Sequence, residues 1–183
     1  MPPSVTAKLS TVALEYLRNH DELEMARELF LGERKKLFEN LGKIMLEAAQ
    51  QRGQVIAEHY SSEKYGLVSV DIRGQFLAAR AKNGKEKRSG FSVGIGSFLG
   101  HVGAQTLLWF EAKLTTARQR DLEISALEQT LGADVKTIGE GSYLYLRTAA
   151  QPPSQLDMDA LEAEVRRLPT LFATADSWLA KRI

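Results

Sequence analysis

The chain has 183 residues, 44% hydrophobic and 26% charged, which is typical of an ordinary globular domain. Its formal net charge of +1 excludes a global field that attracts nucleic acid or acidic partners, so such a preference needs local patches. The absence of cysteine excludes disulfides, thiolate metal sites and cysteine nucleophiles. The first residues do not resemble a signal peptide, and we expect a cytoplasmic protein without a membrane partner.

The N-terminal part of the chain has the apolar spacing of helices. Residues 4–19 form a predicted first helix, which His20 and Asp21 interrupt, and Gly32 is expected to end a second helix. A third helix covers about Glu33–Gln51, and its pattern continues toward Tyr60. These helices are expected to pack on the core, although they could instead pair with a second copy in a homodimer.

Beyond Tyr65 the apolar period changes to that of strands. The uncharged run Gly90–Phe110 has membrane-span length but is rich in glycine, so we interpret it as two buried strands. Asn83-Gly84 is a strong signal for a tight hairpin turn. The predicted strands are Leu67–Ile72, Phe76–Lys82, Phe91–Phe98 and Gly103–Lys113.

The C-terminal third returns to a mixed pattern. A capping box predicts a helix over Ala117–Leu131, a short extended piece follows it, and Tyr143–Thr148 reads as a further strand. The last segment is helical, and Pro169 is expected to bend or split it.

The order of these elements predicts the α+β fold class. We expect a central, mostly antiparallel or mixed sheet of four to six strands, packed by helices and preceded by an N-terminal helical layer. Within one compact domain, residues 1–60 would form the helical region, 61–150 the α/β core and 151–183 the C-terminal helices.

The fourth predicted strand, Gly103–Lys113, ends in the triplet Glu111-Ala112-Lys113. Residues i and i+2 of a strand share a face, so Glu111 and Lys113 would project together at the end of an apolar strand. A carboxylate at this place can hold Mg²⁺, and an adjacent ammonium can stabilise developing charge. The simpler interpretation is a strand whose charged end enters solvent.

The run of helix, strands, Glu-x-Lys, helix and strand over residues 33–148 resembles the core of the PD-(D/E)xK, restriction-endonuclease-like superfamily. The resemblance implies catalytic roles for Glu111 and Lys113 and a divalent metal such as Mg²⁺. The family's acidic partner is missing from Phe91–Phe98, and Asp71, on an earlier strand, is the nearest candidate for the second metal ligand. The resemblance therefore implies a metal-dependent nuclease or a core of that type without catalysis.

A basic stretch around the predicted Asn83-Gly84 turn is a second candidate site. A protruding basic β-ribbon can contact the phosphates of a nucleic acid. The alternative is a solvated loop tip whose charges prevent edge-to-edge pairing. Its five cations are Arg80, Lys82, Lys85, Lys87 and Arg88.

Two functions remain open from these patterns. The first is a nucleic-acid-associated protein with a nuclease-like core, in which the basic hairpin binds phosphates. The second is a non-catalytic immunity, adaptor or regulatory module that binds a partner protein through helical surfaces. The apolar helical stripe over residues 37–48 and the terminal helix that carries Trp178 would then form the partner surface.

Overall fold

A computed structural model describes most of the chain. The chain divides into two compact units, Met1–Lys36 and Leu37–Ile183. The first unit is helical in its described part, and the second contains a sheet with its helical cover. The described residues are 11–62, 65–75, 88–99, 101–111, 124–132, 135–140 and 143–182.

Four helices and six strands lie within these residues. The helices are α1 (Thr11–Arg18), α2 (His20–Gln51), α3 (Ile124–Leu131) and α4 (Met158–Ala180), with a short 3-10 turn at Pro153–Gln155. The strands are β1 (Ile56–Ser62), β2 (Leu67–Ile72), β3 (Ser89–Phe98), β4 (His101–Phe110), β5 (Lys136–Glu140) and β6 (Tyr143–Gln151). None of the described helices is long and apolar enough to cross a membrane.

The six strands form one sheet in the order β1-β2-β3-β4-β6-β5. Every neighbouring pair is antiparallel. In the middle of the sheet Val70 lies opposite Phe91, which lies opposite Leu108, so these three side chains share one face. The helices and the antiparallel sheet confirm the predicted α+β fold class.

The core lies between this face and the helices. Phe172 of α4 stacks on Phe110 of β4 with ring centroids 5.3 Å apart, and it meets Phe91 edge to face. Gly42 of α2 lies so close to His59 of β1 that an added Cβ would come within 2.5 Å of its Nε2 atom. Most of the apolar stripe predicted over residues 37–48 packs into this core, because Phe38, Leu41, Met45 and Ala48 are buried.

The N-terminal helices differ from the prediction. The division predicted at His20 and Asp21 lies at Asn19, between α1 and α2, but no break occurs at Gly32, because α2 runs without interruption from His20 to Gln51. Helical hydrogen bonding also crosses Asn19, whose N–H donates to the Glu15 carbonyl and whose carbonyl accepts from Leu23. A glycine inside a helix costs about 1 kcal/mol relative to alanine, which is too little to end a helix that its neighbours favour.

Other boundaries also move. The stretch toward Tyr60 is not helical, because Gly53 adopts a φ of +66° after α2 and the chain continues as β1. The fourth strand ends at Phe110 rather than at Lys113. Pro169 lies inside α4 and does not split it. The predicted strand Phe76–Lys82 and its turn lie outside the described residues.

Candidate functional site: an aromatic groove across β3

On the sheet face opposite the helices, the central strand β3 carries small residues. On this face the middle of β3 presents small residues, Gly90, Ser92 and Gly94, because they alternate with the core residues Phe91 and Val93. Large aromatic residues lie on both sides of it, with Trp109 on β4 and Tyr145 on β6 to one side and Tyr60 on β1 to the other. The difference in side-chain size forms a groove along β3.

We call this feature the aromatic groove. It encloses a cavity of ≈ 250 Å³. On one wall Tyr143 meets Trp109 edge to face at 6.1 Å and lies 5.8 Å from Tyr145, measured between ring centroids. On the other wall Tyr60 is 39% and Tyr65 is 55% exposed, so these rings are accessible to a ligand. The lining residues are Tyr60, Tyr65, Leu67, Arg88, Ser92, Trp109, Tyr143 and Tyr145.

A hydroxyl network holds the buried Trp109 in place. The Trp109 indole N–H donates to the Ser69 hydroxyl over 3.2 Å. Ser69 is fully buried on β2, lies 2.9 Å from the hydroxyl of Ser92, and donates to the Phe91 carbonyl. A buried indole N–H without a partner would be costly, so this network allows an aromatic ring to sit within the groove.

An ionic network closes one end of the groove. The Arg88 side chain lines the groove and pairs with Asp71 of β2 and Glu58 of β1. Its Nε donates to Asp71 over 2.7 Å, and a terminal nitrogen donates to Glu58 over 2.7 Å. The guanidinium also lies 6.0 Å from the centre of the Tyr60 ring. One cation therefore joins two acids and one aromatic wall.

Asp71 is a buried carboxylate with an unused oxygen. Its residue exposure is 2%, and the Oδ1 atom has no hydrogen-bond partner among the described residues. Burial raises the pKa of Asp71, and the hydrogen bond and charge of Arg88 only partly oppose this rise. Burial also raises the pKa of Tyr60, and side-chain hydrogen bonding with Ser69 acts in the opposite direction.

Glu111 lies at the same end of the sheet. Its Oε2 accepts the backbone N–H of Arg88 over 3.0 Å, and its own N–H donates to the Arg88 carbonyl over 2.8 Å. Asp71 lies opposite Gly90, which lies opposite Trp109, so β3 separates the strands of the two acids. Two strand spacings amount to about 10 Å. Arg88 occupies the space between them.

The structure describes only some of the residues of the site that was predicted from the sequence. Asp71, Arg88 and Glu111 come together, with Arg88 contacting both acids. Lys113 and the other predicted phosphate-binding residues, Arg80, Lys82, Lys85 and Lys87, lie outside the described residues. Within the described part of the chain, no group of three or more acids and histidines could hold a metal ion. The Arg88 guanidinium pairs with Asp71, and the Arg88 backbone N–H donates to Glu111, so the two predicted metal ligands are both hydrogen-bonded to this residue.

The aromatic groove was not predicted from the sequence. Tyr143 and Tyr145 lie two residues apart on one strand, which does indicate a shared face. Nothing in the sequence placed Tyr60 on a strand or showed that β3 separates it from Trp109. No family model, curated protein or solved structure matches this chain at a significant level.

Proposed function

We propose that the protein binds single-stranded nucleic acid, with bases stacking in the aromatic groove. The observation that supports this most is the set of five aromatic side chains that line one cavity together with Ser92 of β3. Stacking of a base on an aromatic ring contributes about 1–3 kcal/mol and needs no particular base sequence. Sheet faces that carry aromatic residues are an established platform for unpaired bases.

The size of the groove favours one planar ring system. Its cavity of ≈ 250 Å³ lies below the usual range for drug-sized ligands, about 300–1,000 Å³. The exposed rings of Tyr60 and Tyr65 extend one wall toward solvent, where a neighbouring base could stack. A single strand, whose bases are free to leave a helix, suits this shape better than a duplex does.

The basic stretch supplies the phosphate contacts in this proposal. Lys85 and Lys87 precede Arg88 directly in sequence, and Arg88 lines the groove. Lysine and arginine contacts to phosphates release counterions, so they give affinity that falls as salt rises. Aromatic residues for the bases and cations for the backbone are the two components of a single-strand site.

We propose binding without catalysis, so the nuclease-like core that the resemblance implies would be a degenerate one. Arg88 pairs with Asp71, the acid that the resemblance would assign to a metal. Hydrolysis would need Glu111, Asp71 and Lys113 to act with Mg²⁺, and an assay for cleavage of labelled strands with and without Mg²⁺ tests it. Cleavage that needs Mg²⁺ and is lost in Glu111→Gln would establish catalysis instead.

Binding can be followed through the groove itself. The chain has two tryptophans, so Trp178→Phe leaves Trp109 as the only indole, and stacking should quench its fluorescence. We expect oligonucleotides to bind this variant at low salt, with affinity that falls as salt increases. Tyr145→Leu should weaken binding by about 5- to 100-fold, whereas the matched control Tyr145→Phe keeps the ring and the affinity. No binding at low salt, or equal affinity for both variants, would refute the proposal.

A second candidate function has its own supporting observation. Among the residues that the structure describes at this end of the groove, three carboxylates, those of Glu58, Asp71 and Glu111, contact a single arginine, Arg88. Such an acidic end favours a basic segment of a partner protein rather than phosphate. Tyrosine and tryptophan are also enriched where proteins bind one another. In this alternative the same groove takes an arginine or lysine side chain of a protein partner.

A further inference from the structure

The first unit of the chain exposes a line of large apolar side chains. Val12 of α1 is 75% exposed, and Tyr16, Leu23 and Phe30 are each close to half exposed. A water-soluble helix normally buries such residues against a neighbour. The line therefore needs an explanation that is independent of the proposed function.

The spacing of this line is that of a coiled coil. Together with Asn19 and Ala26, the apolar residues follow steps of four, three, four, three and four residues from Val12 to Phe30. This alternation keeps one seam facing a partner helix over an average period of 3.5 residues. Two hydrogen bonds with helical spacing, from Asn19 to the Glu15 carbonyl and from Leu23 to the Asn19 carbonyl, join α1 to α2 across the turn at Asn19. We call Val12, Tyr16, Asn19, Leu23, Ala26 and Phe30 the seam.

We propose that the seam pairs with the same seam of a second copy of this chain, as a parallel two-stranded coiled coil. The charges beside the seam are self-complementary in this arrangement. On one flank lie Glu15 and Glu22, and on the other lie His20 and Arg27. Each flanking residue of a parallel pair faces the residue five positions later in its partner, so Glu22 meets Arg27 of the second copy and Glu15 meets His20.

An antiparallel pair would lack this match. It brings equivalent flanks together, so Glu22 would face the acidic flank of the other copy instead of Arg27. The seam also contains one polar residue, Asn19, which could pair with Asn19 of the second copy. A polar residue at one seam position fixes register at some cost in stability. Both features favour the parallel, in-register arrangement.

The cysteine-free chain allows a direct test of this geometry. Ala26→Cys places a thiol at the seam, and mild oxidation should link two copies almost completely. Glu28→Cys places the thiol on the opposite side of the same helix and is the matched control, which should stay largely unlinked. Equal linking of the two variants would overturn the proposal, as would a failure of Ala26→Cys to link.

Light scattering after size exclusion gives a second test. We expect a dimer for the natural chain and a monomer for Leu23→Gln/Phe30→Gln, with unchanged far-ultraviolet circular dichroism. Met25→Gln is the control, because Met25 is 64% exposed but lies away from the seam. Glu22→Lys and Arg27→Glu should each weaken the dimer several-fold, and their combination should restore it. A monomeric natural chain, or no recovery in the combined variant, would contradict the parallel coiled coil.

Discussion

The ion pair between Asp71 and Arg88 joins a buried carboxylate to a half-exposed guanidinium. The Asp71 side chain is 3% exposed, whereas that of Arg88 is 49% exposed. The buried Asp71 therefore depends on the ion pair more than the half-exposed Arg88 does. Arg88 can be solvated without Asp71, but Asp71 has no other cation among the described residues that contact it.

We predict that Arg88→Ala destabilises the protein mainly at neutral and alkaline pH. The pKa of Asp71 is raised by burial above its unfolded value of about 3.9, so the folded state holds a proton that the unfolded state releases. Stability from this group is full below about pH 4 and is lost as pH rises through the folded pKa. Without Arg88 the free energy of unfolding should fall more steeply as pH rises. We expect Arg88→Ala to lower it by about 1–3 kcal/mol near pH 8.

Urea unfolding from pH 4 to 8 measures this effect. Arg73→Ala, which removes an exposed arginine next to β2, is the control and should change stability by less than about 0.5 kcal/mol. Adding Asp71→Asn to Arg88→Ala should recover stability at pH 8, because no buried charge remains. A cost of Arg88→Ala that is the same at every pH would show that Asp71 does not titrate as described.

A second prediction concerns two glycines with opposite surroundings. A Cβ added to Gly90 would lie 2.1 Å from the Val70 carbonyl oxygen of the neighbouring strand. Gly90→Ala should therefore displace β2 from β3 and cost about 2–4 kcal/mol. Gly32 lies inside α2 with nothing within 4 Å of such a Cβ, so Gly32→Ala should stabilise by about 0.5–1 kcal/mol. Thermal unfolding that moves the same way in both variants would contradict this contrast.

A third prediction concerns the hydroxyl of Ser69. Ser69→Ala removes the acceptor of the Trp109 indole N–H and a partner of the Ser92 hydroxyl. Leaving buried polar groups unpaired costs about 1–3 kcal/mol. Thr174→Ala, whose exposed hydroxyl donates to the Thr170 carbonyl, should be nearly neutral in the same unfolding assay. Trp109 fluorescence should also shift in Ser69→Ala, and an unchanged spectrum with unchanged stability would show that the network does not hold the ring.

A fourth prediction distinguishes the two candidate functions, because one substitution should change the affinities for their ligands in opposite directions. Glu58→Gln removes a negative charge at the end of the aromatic groove. Nucleic-acid affinity should rise by about 2- to 5-fold, because the repulsion of phosphate falls by up to about 1 kcal/mol. Affinity for a basic peptide should fall instead. Glu162→Gln on α4, which also removes a glutamate from an arginine pair, should change neither affinity.

The sequence was most informative where one pattern dominates. The fold class followed from helical and strand periods, and β2 was predicted with the bounds that the structure has. Local signals failed where tertiary pairing decides. Glycine at position 32 suggested an end to a helix that continues through it, and the stretch before Tyr60 suggested a helix where β1 pairs with β2.

The candidate site was predictable only in part, for a physical reason. Glu111 was placed at the end of an apolar strand by alternation alone. The contact between Arg88 and Asp71 depends on the register of β2 with β3, and the long stretch of chain between these two strands does not determine their register. The groove depends on the order of five strands, which no local pattern contains.

The last helix supplies much of the layer that covers the sheet. Leu161, Val165, Leu168, Phe172, Ala175 and Leu179 of α4 are all buried in the core. The Pro169 carbonyl, which lies in this helix, also accepts the amide of Gln54 over 2.7 Å, across 115 residues of sequence. During synthesis, the apolar face of β3 and β4 therefore lacks this part of its cover until α4 leaves the ribosome. That interval is when cotranslational chaperones would find their binding surface on β3 and β4.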